Sequence, residues 1–206
     1  MTNKKVYTKK PHVVTQQSPE KNHFTNNYKN TKRSPLIALI GDSTLKNLSG
    51  YQLGRNCEGA KIMVRSQRGG KVKNIKNLMI DLIEDVKPDA ICFHVGTNDI
   101  NSRKSTLEIR KEIEYLIKLT QRQGILPVLS LITKRTDKYG GKVDELNQVI
   151  VDLCNRHGVG YIEHANIQAC HLNESGLHID VKHTHLFSAN FANYFNSLVN
   201  NDFILL

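Results

Sequence analysis

A three-layer α/β/α sandwich around a five-stranded parallel sheet is the fold class this sequence predicts. Three observations predict it. Short apolar runs of strand length alternate along the chain with segments whose apolar residues recur at helical spacing. The helical segments fall between successive strands, which is the crossover a parallel sheet requires. Polar, glycine-containing clusters follow the first three strands, at the strand ends where sites form in such sheets.

The elements follow in order. Residues 35–41, PLIALIG, form a short apolar run ending in glycine and read as a buried strand. Thr44–Leu53 follows as a helix, capped by Asp42 or Ser43. Residues 60–66 give the second strand. Over 71–86, Val72, Ile75, Leu78, Met79, Leu82 and Ile83 keep helical spacing, and Pro88 follows the end. Residues 89–96 are the third strand. Over 105–124, Leu107, Ile109, Ile113, Leu116, Ile117 and Thr120 share one face, and Gly124 is placed to stop the helix. Strand four spans 125–132, a helix 141–158 closes on glycine, and strand five spans 159–164. The last helix, 184–199, presents Leu186, Phe187, Phe191, Tyr194, Phe195 and Leu198.

The chain of 206 residues is long enough for one sizeable core. Its charge divides it: residues 1–35 carry eight Lys or Arg against one acid, Glu20, and have little to bury. Residues 1–34 therefore read as a basic, disordered arm and 35–206 as the folded domain. The arm is either a solubilising tail or a segment that neutralises nucleic-acid phosphates. No run of 18 apolar residues exists to span a bilayer, and the N-terminus lacks the apolar region of a secretory signal. The four cysteines, Cys57, Cys92, Cys154 and Cys170, show no CxxC spacing, so neither a disulfide framework nor a zinc knuckle is expected. Reduced thiols in an intracellular, cytoplasmic protein are the expectation.

The three rim clusters carry the chemistry. Gly41-Asp42-Ser43 puts a hydroxyl at a strand-to-helix turn, where it is either a cap or a nucleophile awaiting a base. Gly69-Gly70 lets backbone approach a ligand and offers an amide to an oxyanion, or is a plain tight turn. Asn98, in Gly96-Thr97-Asn98-Asp99, offers a side-chain donor or forms a turn. Together they supply a hydroxyl and three donors, the set acyl transfer requires.

These blocks resemble the SGNH (GDSL) hydrolase superfamily, from Pro35 to about Leu198, with Gly-Thr-Asn-Asp the most specific piece. More narrowly, HVGTNDI, CNRHGVGYIEHANI and HLNESGLHID are similar to esterase-like domains of invertebrate and fish genomes, some of them in LINE-type retrotransposon proteins. The resemblance implies a flavodoxin-like sheet and serine-ester hydrolysis of an acetyl or short acyl ester, without cofactor or metal. Ser43 would be the nucleophile, with Gly69, Asn98 and the Ser43 amide holding the oxyanion. The alternative is a degenerate domain kept as a binding module, its arm contacting nucleic acid.

The superfamily's base lies in Asp-x-x-His. Asp180-Val-Lys-His183 matches literally, whereas Ser175-Gly-Leu-His178 matches in context and leaves room before the last helix. His178 is the expected base. Ser175 then stands where the family carries its acid, so Glu174 or Asp180 is the candidate to orient the ring, or the site runs as a Ser–His pair. The remaining histidines show no tight metal spacing, and His94, inside a strand, reads as a core histidine. Arg135 and Asp137, after strand four, either line the mouth of the site or are solvated loop charges, and the second is the expectation.

Overall fold

The structure, a computed structural model, describes residues 33–200. The basic arm lies outside the described residues except for its last two positions.

Five parallel strands run β1 Leu36–Asp42, β2 Lys61–Gln67, β3 Ala90–His94, β4 Leu126–Ser130 and β5 Gly160–Ile162. Their spatial order is β2-β1-β3-β4-β5, the doubly wound order that reverses direction between β1 and β3. The helices are α1 Gly50–Arg55, α2 Val72–Val86, α3 Thr106–Arg122, α4 Val143–His157 and α5 Thr184–Asn200. The predicted sandwich is the observed one, with element ends shifted by no more than two residues apart from the segment after β1.

The layers follow from side-chain alternation along the strands. Ala38 and Ile40 of β1 face a core built with α2, α3 and α4; Ile37 and Leu39 face a second core built with α1 and α5. In that second core Phe187, Phe191 and Phe195 stand one turn apart on α5, all fully buried. Successive ring centroids lie 4.8 and 6.0 Å apart, and each side chain contributes about 1.5–3 kcal/mol by leaving water.

One predicted element is divided. In place of a helix over Thr44–Leu53 there is a 3-10 turn, Ser43–Asn47, then extended backbone at Leu48, then α1. Ser49 restarts the helix by capping it, its Oγ accepting from Gln52 N–H at 3.4 Å. The break lets the chain after β1 turn tightly at the sheet's rim before packing down again.

Candidate active site

The strand order reverses between β1 and β3, and in doubly wound sheets ligands bind outside the carboxyl ends at such a switch, where the loops after these two strands lie. Asp42 ends β1, fully buried, and its Oδ1 accepts from Thr44 N–H at 2.8 Å. Asp42 is therefore the cap of the 3-10 turn. Ser43, the competing cap in the sequence, keeps a half-buried hydroxyl that makes no hydrogen bond among the described residues. Close packing fixes the turn from below. Gly41 pairs with His94 of β3, and a Cβ at Gly41 would overlap the His94 carbonyl oxygen.

The donors come from two neighbouring loops. Asp42 pairs with Gln67, so the chain leaving β2 runs beside Ser43. There Gly70 N–H closes a turn onto Gln67 O at 3.0 Å, which leaves Gly69 as the amide not engaged in that turn. Gly69 has φ +63°, a conformation other residues adopt only with strain. From the β3 loop, Asn98 Nδ2 donates to Gly70 O at 3.1 Å, which joins the two loops and uses one of its two amide hydrogens. Asp99 is fully buried and accepts from Val72 N–H at 3.0 Å, tying the same loop to the start of α2. Burial raises the Asp99 pKa against the opposing pull of Val72 N–H and Lys104.

His178 sits on a hairpin of the chain between β5 and α5. Leu172 and Ile179 form an antiparallel bridge, and Asn173 N–H donates to His178 O at 2.8 Å. Asn173 Oδ1 accepts from both Ser175 Oγ (2.7 Å) and His178 N–H (3.3 Å). The hairpin docks on the segment after β4 through Thr136 N–H to Gly176 O, 2.9 Å. The half-buried imidazole lies close enough to Lys46, Asp42 and Arg135 for their charges to act on it. Burial and the Lys46 charge lower its pKa, Asp42 opposes them, and Arg135 adds to them. Ser43 and His178 thus share the rim, without a hydrogen bond between them.

The expected orienting acids do not reach that ring. Asp180 Oδ1 accepts from Lys182 N–H at 3.0 Å, capping the short turn before α5, and Glu174 is exposed. His178 Nδ1 is buried with no partner among the described residues. The local amides at the start of a helix claim the Asp180 carboxylate first. His183, the literal motif match, packs on His171 at 4.7 Å between ring centroids.

Arg135 also departs from its expectation. It is only 4% exposed, and Nη1 donates to Thr97 O at 2.7 Å while Nε and Nη2 grip the Asp137 carboxylate at 3.0 and 2.5 Å. The bond to the Arg135 guanidinium holds the Asp137 carboxyl below its usual range. A carbonyl buried in the β3 loop needed a donor, and a charged fork from 38 residues away supplies it. Arg135→Met should lower stability by about 2–3 kcal/mol, since Thr97 O is left buried and unpaired. A urea midpoint unchanged from wild type would contradict this brace.

Sequence reasoning missed a buried polar chain beneath the rim. His94 Nδ1 meets Ser130 Oγ at 2.9 Å, Ser130 Oγ meets His164 Nε2 at 2.7 Å, and His164 Nδ1 meets Asn190 Nδ2 at 2.9 Å. With Asn190 donating, His164 Nε2–H donates to Ser130, which donates to His94 Nδ1; the His94 proton then sits on Nε2, buried and unpartnered. Burial lowers the pKa of both imidazoles, so both are neutral. Phe187 packs edge-on against His94, with centroids 5.4 Å apart. A cleft of about 540 Å³ opens past Arg135 and His164, but Ser43, Gly69, Asn98 and His178 do not line it.

Five parallel strands in doubly wound order, with helices on both faces and Ser43, Gly69 and Asn98 on the loops after β1, β2 and β3, define a flavodoxin-like α/β domain. The chain belongs to the GDSL-like lipase/acylhydrolase family, which it matches over residues 27–186. No curated protein matches it. Among solved structures it is similar to LAE5, an α/β hydrolase enzyme from the metagenome of Lake Arreo, Spain, with TM-score 0.68 and 13% identity over 81% of this chain and 97% of that one. It is similar to the lipase/acylhydrolase from Enterococcus faecalis, with TM-score 0.65 and 14% identity over 79% and 96%. It is also similar to Axe2, an acetylxylan esterase from Geobacillus stearothermophilus, with TM-score 0.67 and 14% identity over 79% and 94%. The narrower likeness to retrotransposon proteins is not shown by these comparisons. No helix among the described residues is long and apolar enough to cross a membrane.

Proposed function

We propose that this domain is a serine esterase acting on small acetyl or short-acyl esters. The observation that carries the reading is the hydroxyl at the switch point: Asp42 takes over the capping, so Ser43 Oγ is left without a partner beside two loops that offer donors. Ser43 Oγ attacks the acyl carbon while neutral His178 accepts its proton. The oxyanion forms against the Ser43 and Gly69 amides and the remaining Asn98 amide hydrogen. His178 then returns the proton to the leaving alcohol, and water repeats the sequence in reverse to free the acid.

No carboxylate holds the ring of His178, so the site works as a Ser–His pair, with the buried Asp42 charge as the nearby stabiliser of the imidazolium. The neutral imidazole is the working base, and burial with Lys46 favours it. The acid limb of kcat/KM should therefore have its midpoint below about 6.5, the usual histidine value. Lys46→Glu should move that midpoint upward; a limb at or above the usual value would argue against His178 as the base.

The unpartnered Nδ1 also favours a second reading, a catalytically degenerate domain kept as a binding module. A fluorophosphonate probe separates the two. Labelling at Ser43 that is lost in His178→Ala supports the esterase, and no labelling supports the module.

A further inference from the structure

The folded domain's own charge is as uneven as that of the arm. Residues 43–80 hold eight basic side chains, Lys46, Arg55, Lys61, Arg65, Arg68, Lys71, Lys73 and Lys76, against a single acid, Glu58. Ion pairs form elsewhere, at Lys104, Lys118, Arg135 and Lys182 among others, but none of these eight is in one among the described residues. Unpaired cations repel one another and weaken the compact state unless something offsets them.

Half of them surround the reactive rim. Lys46 is exposed three residues after Ser43, and its charge reaches His178. Arg68 is exposed directly before Gly69, on the chain that leaves β2 beside Asp42. Lys71 and Lys73 flank the first residue of α2, whose opening turn contains no acid. The Asp99 carboxylate meets the helix dipole at this end by accepting from Val72 N–H, but neither lysine forms an ion pair with it or with any other acid among the described residues. Apart from the buried Asp42 and Asp99, the acids of the rim lie on the opposite side: Asp137 after β4, and Glu174 and Asp180 on the histidine hairpin.

We propose that the ester substrate is carried on an anion, with a carboxylate, sulfate or phosphate on the alcohol portion seated over Lys46, Arg68, Lys71 and Lys73. The proposal rests on the Ser43 esterase reading and adds the substrate's charge. Arg68 offers a forked donor to a planar or tetrahedral oxyanion, and the three lysines supply point charges around it. The cations raise the local concentration of such an ester at the serine, an effect that salt weakens.

The test compares a matched pair of esters, 4-acetoxybenzoate and 4-acetoxybenzamide, which differ in the charge of the group opposite the acetyl. At low salt the wild-type protein should favour the carboxylate in kcat/KM by about tenfold, and the preference should shrink at about 0.3 M salt. In Arg68→Glu/Lys73→Glu the ratio between the two esters should collapse through a raised KM for the carboxylate. Hydrolysis of both esters without preference, or a ratio the variant does not change, overturns the anionic-carrier proposal alone. Hydrolysis of neither overturns the esterase reading and this proposal with it.

Discussion

Ser43→Ala should abolish hydrolysis of p-nitrophenyl acetate, lowering kcat by about four orders of magnitude, while leaving the fold intact. The two halves of that expectation have separate causes. Catalysis is lost because no other group takes the place of the attacking oxygen at the β1 turn. Stability is kept, within about 0.5 kcal/mol, because Ser43 Oγ makes no hydrogen bond and Asp42 does the capping. Rates from purified wild type and variant, with urea midpoints for both, check the expectation. Equal rates would remove Ser43 from the mechanism, and a large drop in stability would mean that the hydroxyl is structural.

Gly41→Ala should be the most damaging single-methyl change at the rim, at about 3 kcal/mol. The added Cβ would meet the His94 carbonyl oxygen of the paired strand and lie 2.9 Å from Leu45 Cδ1. The leucine side chain can move aside. The carbonyl cannot, because β3 is held in the middle of the sheet between β1 and β4. Relief requires β1 and β3 to separate at the switch point, so loss of activity should accompany the fall in the denaturation midpoint. A midpoint within about 0.5 kcal/mol of wild type would show that the strands tolerate spreading there.

The sequence foretold the sandwich because apolar runs of strand length and a 3.6-residue helical spacing are local properties of the chain. The rim clusters were legible for a related reason: they follow strands, and parallel strands bring their ends to one edge. What was not legible depended on distant partners. Arg135 looked like a solvated charge, yet the buried Thr97 carbonyl draws it inward. Ser130 carries no motif, and only the pairing of β3 with β4 aligns it with His94. Asp180 fitted a three-residue spacing to His183, but the spacing alone could not say that its oxygen would cap a helical turn instead.

The histidine hairpin assigns two jobs to two residues. Asn173 shapes the hairpin by accepting from Ser175 and from the His178 backbone, so the bend does not depend on a carboxylate at position 175. In the esterase proposed above, the bend that carries the imidazole would therefore outlast a change of charge at position 175, because the Asn173 bond to the His178 backbone stays in place.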